Sequence, residues 1–461
     1  MVTRIFRERA AFPALLLVIF LVGVLGTPVV QAQGAEGFTS FYVYFPLYLQ
    51  TGSFVYPVRY LVPATITPAK ASMEALIAGL PGNGAQLIAL PKDAKVLSVS
   101  IKDGVCTVDF SEEIRKVNVG SGGEAAIISA IVTTLGQFQG VKSVNILVGG
   151  KALETLAGHV DISGPIPTDH RPVFQVLSDV HQHWSGGAVA ALEVIDVVNG
   201  YEDGTFRPEN KVSRAEFIKM LVEGLRLPYA PSQEVPFKDV PGKWHAPYIQ
   251  RALAAGLIRM LDYGDYLKPD EYIPREEMAG LLITASAAYL KQHPEVQYPA
   301  LDKVPAFSDL SAAQERYRSA VQESARLGFL RGFPDGTFRP KEVLKRSEAA
   351  TVITRVLGMP GNKDIVRMSP LTGAKWDGGS LNLLGAAQAF EGNVNWRLKD
   401  ATGEIMHGYT TATMGMGWGV FGLHIDSALF AGRTPKTLAV FLVSMEDGDE
   451  YSDLVLPLDL K

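Results

Sequence analysis

Three arginines stand at equivalent places in this chain: Arg214 in "KVSRAEF", Arg275 in "YIPREEM" and Arg346 in "LKRSEA". Each follows an aspartate at nearly fixed distance. Asp179, Asp239 and Asp309 precede them by 35, 36 and 37 positions. A guanidinium offers a planar fork of donors that fits a carboxylate with two parallel hydrogen bonds. The residue before each arginine is Ser213, Pro274 or Lys345. Ser213 and Glu216 form a capping-box pattern, but neither Pro nor Lys offers a side-chain acceptor. The cap is lost twice while the arginine remains, although a cation in a first helical turn opposes the helix dipole. That combination points to an anionic ligand.

The elements around these residues repeat. The copies run "VLSDVHQHWSGGAVAALEVIDVVNGYEDGTFRPENKVSRAEF", "PFKDVPGKWHAPYIQRALAAGLIRMLDYGDYLKPDEYIPREEM" and "AFSDLSAAQERYRSAVQESARLGFLRGFPDGTFRPKEVLKRSEA". Each reads as an Asp, a helix, a loop rich in Gly, Asp and Pro, and a second helix. Gly204 and Gly336 supply tight turns in the shared "DGTFRP". Copy two has "YGDYLKP" there and lacks a match for Gly200 and Gly332. Copy three shows Tyr317 near the place of Trp184 and Trp244, with an insertion after Asp309.

These copies resemble the surface-layer homology (SLH) domain, whose second helix opens on "TRAE". The resemblance implies an all-α three-pronged bundle with grooves between neighbouring copies. It implies a secondary cell-wall polysaccharide as partner, commonly ending in a pyruvylated sugar. The pyruvate carboxylate would meet Arg214, Arg275 and Arg346, with Asp179, Asp239 and Asp309 accepting from hydroxyls. Trp184 and Trp244 either stack on a sugar face or are core aromatics at a helix start. Two of the three grooves are expected to be competent, with that of copy two the most doubtful. The expected repeat bounds are 174–229, 236–290 and 306–358.

Other chemistry finds little support. His181 and His183 lack a third metal ligand, and "EDGTF" lacks the alternating acidic ligands of a calcium loop. No metal and no cofactor are expected. Cys106 is the only cysteine, which excludes an intrachain disulfide. The 461 residues carry 47% hydrophobic and 20% charged residues and a net charge of −5. That suits several folded domains and excludes nucleic acid binding by a bulk basic field.

Before the repeats, residues 38–166 read as an α+β domain. Thr67 and Pro68 open a helix. "VLSVSIKDGVCTVDF" reads as a hairpin turning at Asp103-Gly104, with Ile101 opposite Cys106, Val99 opposite Val108 and Leu97 opposite Phe110. All six face a core. "YLVPATITPAKASMEALIAGLPG", this hairpin and "VKSVNILVGGKALETLAGHVDISGPI" resemble the GerMN domain of sporulation and spore-germination proteins. His159 and Asp161 in "GHVD" carry catalytic residue types, but a structural turn is the expected reading. After the repeats, residues 364–461 read as an antiparallel β-sandwich with Trp396 in its core. "SPLTGAKW", "LLGAAQAFEGNVNWRLKDATGEI" and "LVLPLDL" resemble the immunoglobulin-like domain of bacterial spore germination.

At the N-terminus, Arg4, Arg7 and Arg9 precede the apolar run "AFPALLLVIFLVGVLG" and "VQA". This reads as an export signal over residues 1–32, cleaved near Ala32, with an uncleaved membrane anchor as the alternative. No cysteine follows, so a lipoprotein anchor is excluded. The expected protein is a non-catalytic envelope component on the cell surface. It binds wall polysaccharide through its repeats, and its flanking domains act in sporulation or germination with envelope partners. The alternatives are a general wall scaffold and, further off, a wall-processing enzyme.

Overall fold

The computed structural model describes residues 38–458, apart from 50–51, 65, 81–86, 169–172, 233, 295, 297, 299–300, 302, 360–364, 370–379, 415–416, 431 and 445–448. The export signal falls outside the described residues. Among the described residues, no helix is long and apolar enough to cross a membrane.

The first domain opens with a long antiparallel hairpin, β1 (Phe38–Leu49) and β2 (Gly52–Pro63), which the sequence reading did not resolve. Then come α1 (Pro68–Ala78), β3 (Val96–Lys102), β4 (Val105–Phe110), α2 (Ser121–Gly136), β5 (Ser143–Val148), β6 (Lys151–Ala152) and β7 (Ile166–Pro167). Pro68 begins α1 as expected, but the Thr67 side chain makes no capping bond. The β3–β4 turn has Asp103 and Gly104 both at positive φ, the two-residue hairpin turn. Ile101 pairs with Cys106 and Val99 with Val108. Leu97 does not pair with Phe110: the register shifts between Val96 and Ser98, and Val96 takes that place. Leu97 and Ile101 are half-exposed rather than core, because β3 is the edge strand of the sheet β3-β4-β5-β6. Cys106 is buried, and burial pushes its thiol up to about 11, so it is an inert core residue.

The repeats supply α3 (Gly186–Val194), α4 (Arg214–Gly224), α5 (Ala246–Ala254), α6 (Met260–Tyr263), α7 (Arg275–Gln292), α8 (Glu315–Arg326) and α9 (Arg346–Val356). They are not all-α. Just before α4, α7 and α9, three extended segments close a ring of backbone hydrogen bonds. Val212 N donates to Leu344 O (2.9 Å), Leu344 N to Ile273 O (3.0 Å), and Ile273 N to Val212 O (3.0 Å). The three side chains are fully buried at the centre. Each satisfied backbone pair removes a penalty that helix entries would otherwise carry inside a core.

The last domain comprises β8 (Ile365–Ser369), β9 (Ser380–Gln388), β10 (Asn393–Asp400), β11 (Gly403–Thr411), β12 (Trp418–Asp426), β13 (Thr437–Val443) and β14 (Glu450–Pro457). One of its sheets runs β11-β10-β13-β14. The other is shared with the first domain, in the order β1-β2-β12-β9-β8, through parallel pairing of β2 with β12. The Tyr56 hydroxyl lies 2.8 Å from Phe421 O and 3.2 Å from Gly385 O, and Tyr60 stacks on His424 at 4.0 Å. The two domains that flank the repeats in sequence are thus one sheet in space. Trp396 is core, as expected. Repeat one touches this sandwich where Trp418 N donates to His181 O (2.6 Å). A Cβ at Gly186 would sit 2.3 Å from the Trp418 ring, so only glycine lets α3 approach so closely.

Candidate functional site

Each aspartate closes its own copy's loop. Asp179 accepts from Phe206 N and Arg207 N, Asp239 from Leu267 N and Lys268 N, and Asp309 from Phe338 N and Arg339 N, at 2.7–3.1 Å. Both oxygens of each carboxylate hold backbone. Each oxygen keeps one further lone pair for another donor. Charged acceptors are needed here because Arg207, Lys268 and Arg339 all adopt positive φ, at 58°, 55° and 58°. Copy two reaches the same clamp despite its altered "YGDYLKP". Gly204 and Gly336 take positive φ in open turns, where an added Cβ would meet nothing.

The arginines open α4, α7 and α9, and each reaches into the next copy. Arg214 meets copy two, Arg275 copy three and Arg346 copy one. All three are more than nine-tenths buried. Their partners are the glutamates three residues into the next helix start: Glu277, Glu348 and Glu216. The grooves are therefore built cyclically from the arginine of one copy and the loop of the next.

The three arginines differ in how much of the guanidinium is used. Arg214 is the most engaged, with four of its five N–H groups donating. Its Nε and Nη2 donate to the two oxygens of Glu277 (2.5 and 2.9 Å), and its Nη1 to Leu267 O (3.0 Å) and Lys268 O (2.5 Å). Arg275 donates to Phe338 O (3.0 Å) and to Glu348 (2.7 Å), with Arg331 O at 3.5 Å. Arg346 makes one short contact, Nε to Phe206 O (2.9 Å), and its nearest carboxylate, Glu216, is 3.9 Å away.

The surroundings diverge in the same direction. Beside Arg346, Ser347 is fully buried and its Oγ has no partner among the described residues. Across the groove, Trp184 of copy one is 56% exposed, and Glu209 bridges Lys345 (2.6 Å) and His183 (3.4 Å). Trp244 of copy two is likewise exposed. The two tryptophans are exposed and not core. In copy three the corresponding position, five after the aspartate, is Gln314 rather than Tyr317, which is buried against Gly280. No insertion separates Asp309 from it. Beside Arg275 stands Glu276, where the other copies have Ala215 and Ser347. Buried Glu276 accepts from Gln314 N and Nε2 (both 2.9 Å) and from Lys341 Nζ (2.6 Å). This groove is filled by its own side chains and presents a carboxylate where an anion would bind.

The remaining candidates are structural. Glu124, fully buried on α2, accepts from Leu156 N, Ala157 N, His159 N and Val160 N at 2.7–3.2 Å. That clamp makes "GHVD" a turn. Asp161 caps Ser163 N (2.9 Å), and that bond holds its carboxyl below the usual range. His181 contacts Val176 O, and His183 pairs with Ser185 Oγ at 2.8 Å. Among the described residues, no cluster of three His, Cys, Asp or Glu could hold a metal.

Family models match three parts of this chain. Residues 177–218, 236–279 and 306–350 match the S-layer homology domain. Residues 42–154 match a domain described as sporulation and spore germination, and residues 365–449 the immunoglobulin-like domain of bacterial spore germination. The chain carries all three. An endoglucanase of Bacillus sp. (strain KSM-635) is 30% identical over 254 residues, 55% of this chain and 25% of its own length. An S-layer protein of Bacillus thuringiensis subsp. finitimus is 28% identical over 173 residues, 38% of this chain and 20% of its own. The chain spans a quarter or less of the length of these relatives. A solved structure of tandem GerMN domains of the sporulation protein GerM from Bacillus subtilis is 22% identical with a TM-score of 0.26, covering 31% of this chain and 50% of that one. The repeats and the S-layer relatives support cell-wall attachment.

Proposed function

We propose that this is a non-catalytic envelope protein, held non-covalently on secondary cell-wall polysaccharide, with its flanking domains acting in sporulation or spore germination. The domain bounds proposed are those read from the sequence. The principal reading site is the groove between Arg346 of copy three and Trp184 of copy one. One observation carries this: Arg346 is the arginine whose guanidinium is least used within the protein, and it lies beside the unpartnered Ser347 hydroxyl. A pyruvate ketal carboxylate would take the two Nη groups, and Trp184 would stack on the sugar face. Arg214 and Trp244 form a second, weaker groove, since Glu277 must release Arg214 first. The Arg275 groove does not bind.

Each charge-assisted hydrogen bond contributes about 1.5–3 kcal/mol, so losing it costs roughly 10- to 100-fold in affinity. The test is sedimentation of the protein with isolated walls. Binding is expected to intact walls and not to walls stripped of polysaccharide or of its pyruvate. Arg346→Gln should weaken it by roughly that factor. Undiminished binding by Arg346→Gln, or equal binding to stripped walls, refutes the reading.

A further inference from the structure

A second candidate site lies where the first and last domains share their sheet. Between the β1–β2 hairpin and strands β10 and β11 is a cavity of about 360 Å³. Phe38 and Arg59 of the first domain line it, with Trp396, Tyr409 and Phe441 of the last. Its size falls within the range of small-molecule sites, roughly 300–1,000 Å³.

Arg59 is the unusual group. It is 5% exposed, yet no carboxylate lies within ion-pair distance among the described residues. Its Nη1 donates to Tyr409 O (2.8 Å) and its Nη2 to Ser40 Oγ (3.1 Å), and its guanidinium lies 4.6 Å from the Tyr409 ring centre. These partners are neutral. A buried cation without a counter-charge is costly, and most such groups are paired. The lining also carries Arg397, held by Glu404 (3.2 Å) and by Glu450, with His407 2.6 Å from Glu404, so two arginines face two glutamates. Those glutamates engage Arg397 and His407, and Arg59 keeps only neutral partners at hydrogen-bond distance.

The floor is apolar and flat. Trp396 is buried there, and its Nε1 has no acceptor among the described residues. Its cross-strand neighbour is Gly408, and a Cβ at that position would stand 2.7 Å from the indole. Any side chain there would press on the ring that forms the floor.

We infer that this junction cavity binds a small carboxylate with a flat or apolar body, the carboxylate pairing with Arg59 and the body lying against Trp396 and Tyr409. Because its walls come from both domains, an occupant holds the shared sheet together. Two sources carry this chemistry, a peptide C-terminus and an acidic sugar, and the probes separate them. The site is independent of the repeat grooves, so its failure leaves the wall-binding reading intact.

The test is titration calorimetry on the full chain. The probes are N-acetyl-L-phenylalanine against its amide, and methyl β-glucuronide against methyl β-glucoside. One acid should bind at least ~10-fold more tightly than its neutral counterpart, the loss expected for a charge-assisted pair. That preference should vanish in Arg59→Gln and persist in Arg346→Gln. Asn395→Asp, nearly isosteric and placed on the cavity wall, should also abolish it, which guards against misfolding of the Arg59 variant. Equal affinity for acid and neutral probes, absence of binding by both acids, or an acid preference surviving in Arg59→Gln and Asn395→Asp overturns the inference.

Discussion

Replacing the three arginines one at a time should separate what each does for the fold from what it does for the ligand. Arg214→Ala leaves Glu277 buried with, among the described residues, only the Tyr263 hydroxyl (3.0 Å) as partner. Removing one member of a buried pair costs about 3–5 kcal/mol, because the remaining charge stays uncompensated. A folded unit of 150–250 residues loses about 2–4 °C of Tm per kcal/mol, so the repeats should melt about 6–20 °C lower. Arg346→Ala removes one short hydrogen bond to Phe206 O and a carboxylate contact at 3.9 Å, and should cost about 1 kcal/mol. Wall binding should rank in the opposite order, with Arg346→Ala the more damaging once both proteins are folded. Differential scanning calorimetry and wall sedimentation at a temperature where all variants are native give the two readings. A control, Arg214→Met with Glu277→Leu, should recover much of the lost stability, since an apolar pair of similar volume replaces a buried ion pair at little cost. If Arg346→Ala melts as low as Arg214→Ala, or if Arg214→Ala melts with the wild type, the division of labour is refuted.

Two further outcomes are expected. Glu193 on α3 is buried with Oε2 unpartnered, and burial pushes its carboxyl up to about 8. The folded state thus binds a proton that the unfolded state releases near its ordinary value of 4.5, so this group's contribution to stability falls as pH rises between those values and is gone above about 8. Glu193→Gln should flatten that slope in chemical denaturation between pH 5 and 9, and an unchanged slope would contradict it. A Cβ at Gly422 would stand 2.7 Å from Val58 and 2.8 Å from Pro57 O, so Gly422→Val should prevent β2 from docking on β12. The first and last domains should then melt in separate calorimetric transitions, where the native chain melts them together.

The repeat was legible because its phase is linear in sequence: an aspartate, then an arginine 35 to 37 positions on. What the arginine touches was not legible. Arg214 reaches Glu277 across 63 positions and Arg275 reaches Glu348 across 73, pairings that exist only once the copies close into a ring. Read alone, a guanidinium at a helix start suggests a missing anion; in the structure, part of that anion is the protein's own glutamate. The exposure of Trp184 and Trp244 depends on neighbours from another copy, so their spacing left both readings open. The β1–β2 hairpin escaped notice for a related reason. Most of β2 is buried on both faces, between α2 and the sandwich, so the apolar alternation that marks a half-buried strand is missing. The bulge at Leu97 likewise leaves no local signal.

The residue before Arg275 explains why Arg214 is the most tightly held of the three arginines. In a capping box the third helical glutamate reaches back to the N–H of the cap residue. Glu216 does so at Ser213 N (2.8 Å), which turns its second oxygen only as near as 3.9 Å to Arg346. Glu348 does so at Lys345 N (2.9 Å) and spares one oxygen for Arg275. Pro274 has no N–H to offer. Glu277 is therefore released from capping, and both of its oxygens turn to Arg214. A single substitution at the cap of one helix thus sets how strongly the arginine of the preceding copy is held. The capping box first read at "KVSRAEF" does not compete with ligand binding at its own Arg214. It ties one oxygen of Glu216, whose other oxygen stands 3.9 Å from Arg346, whereas Glu348 in the same arrangement still reaches Arg275 at 2.7 Å.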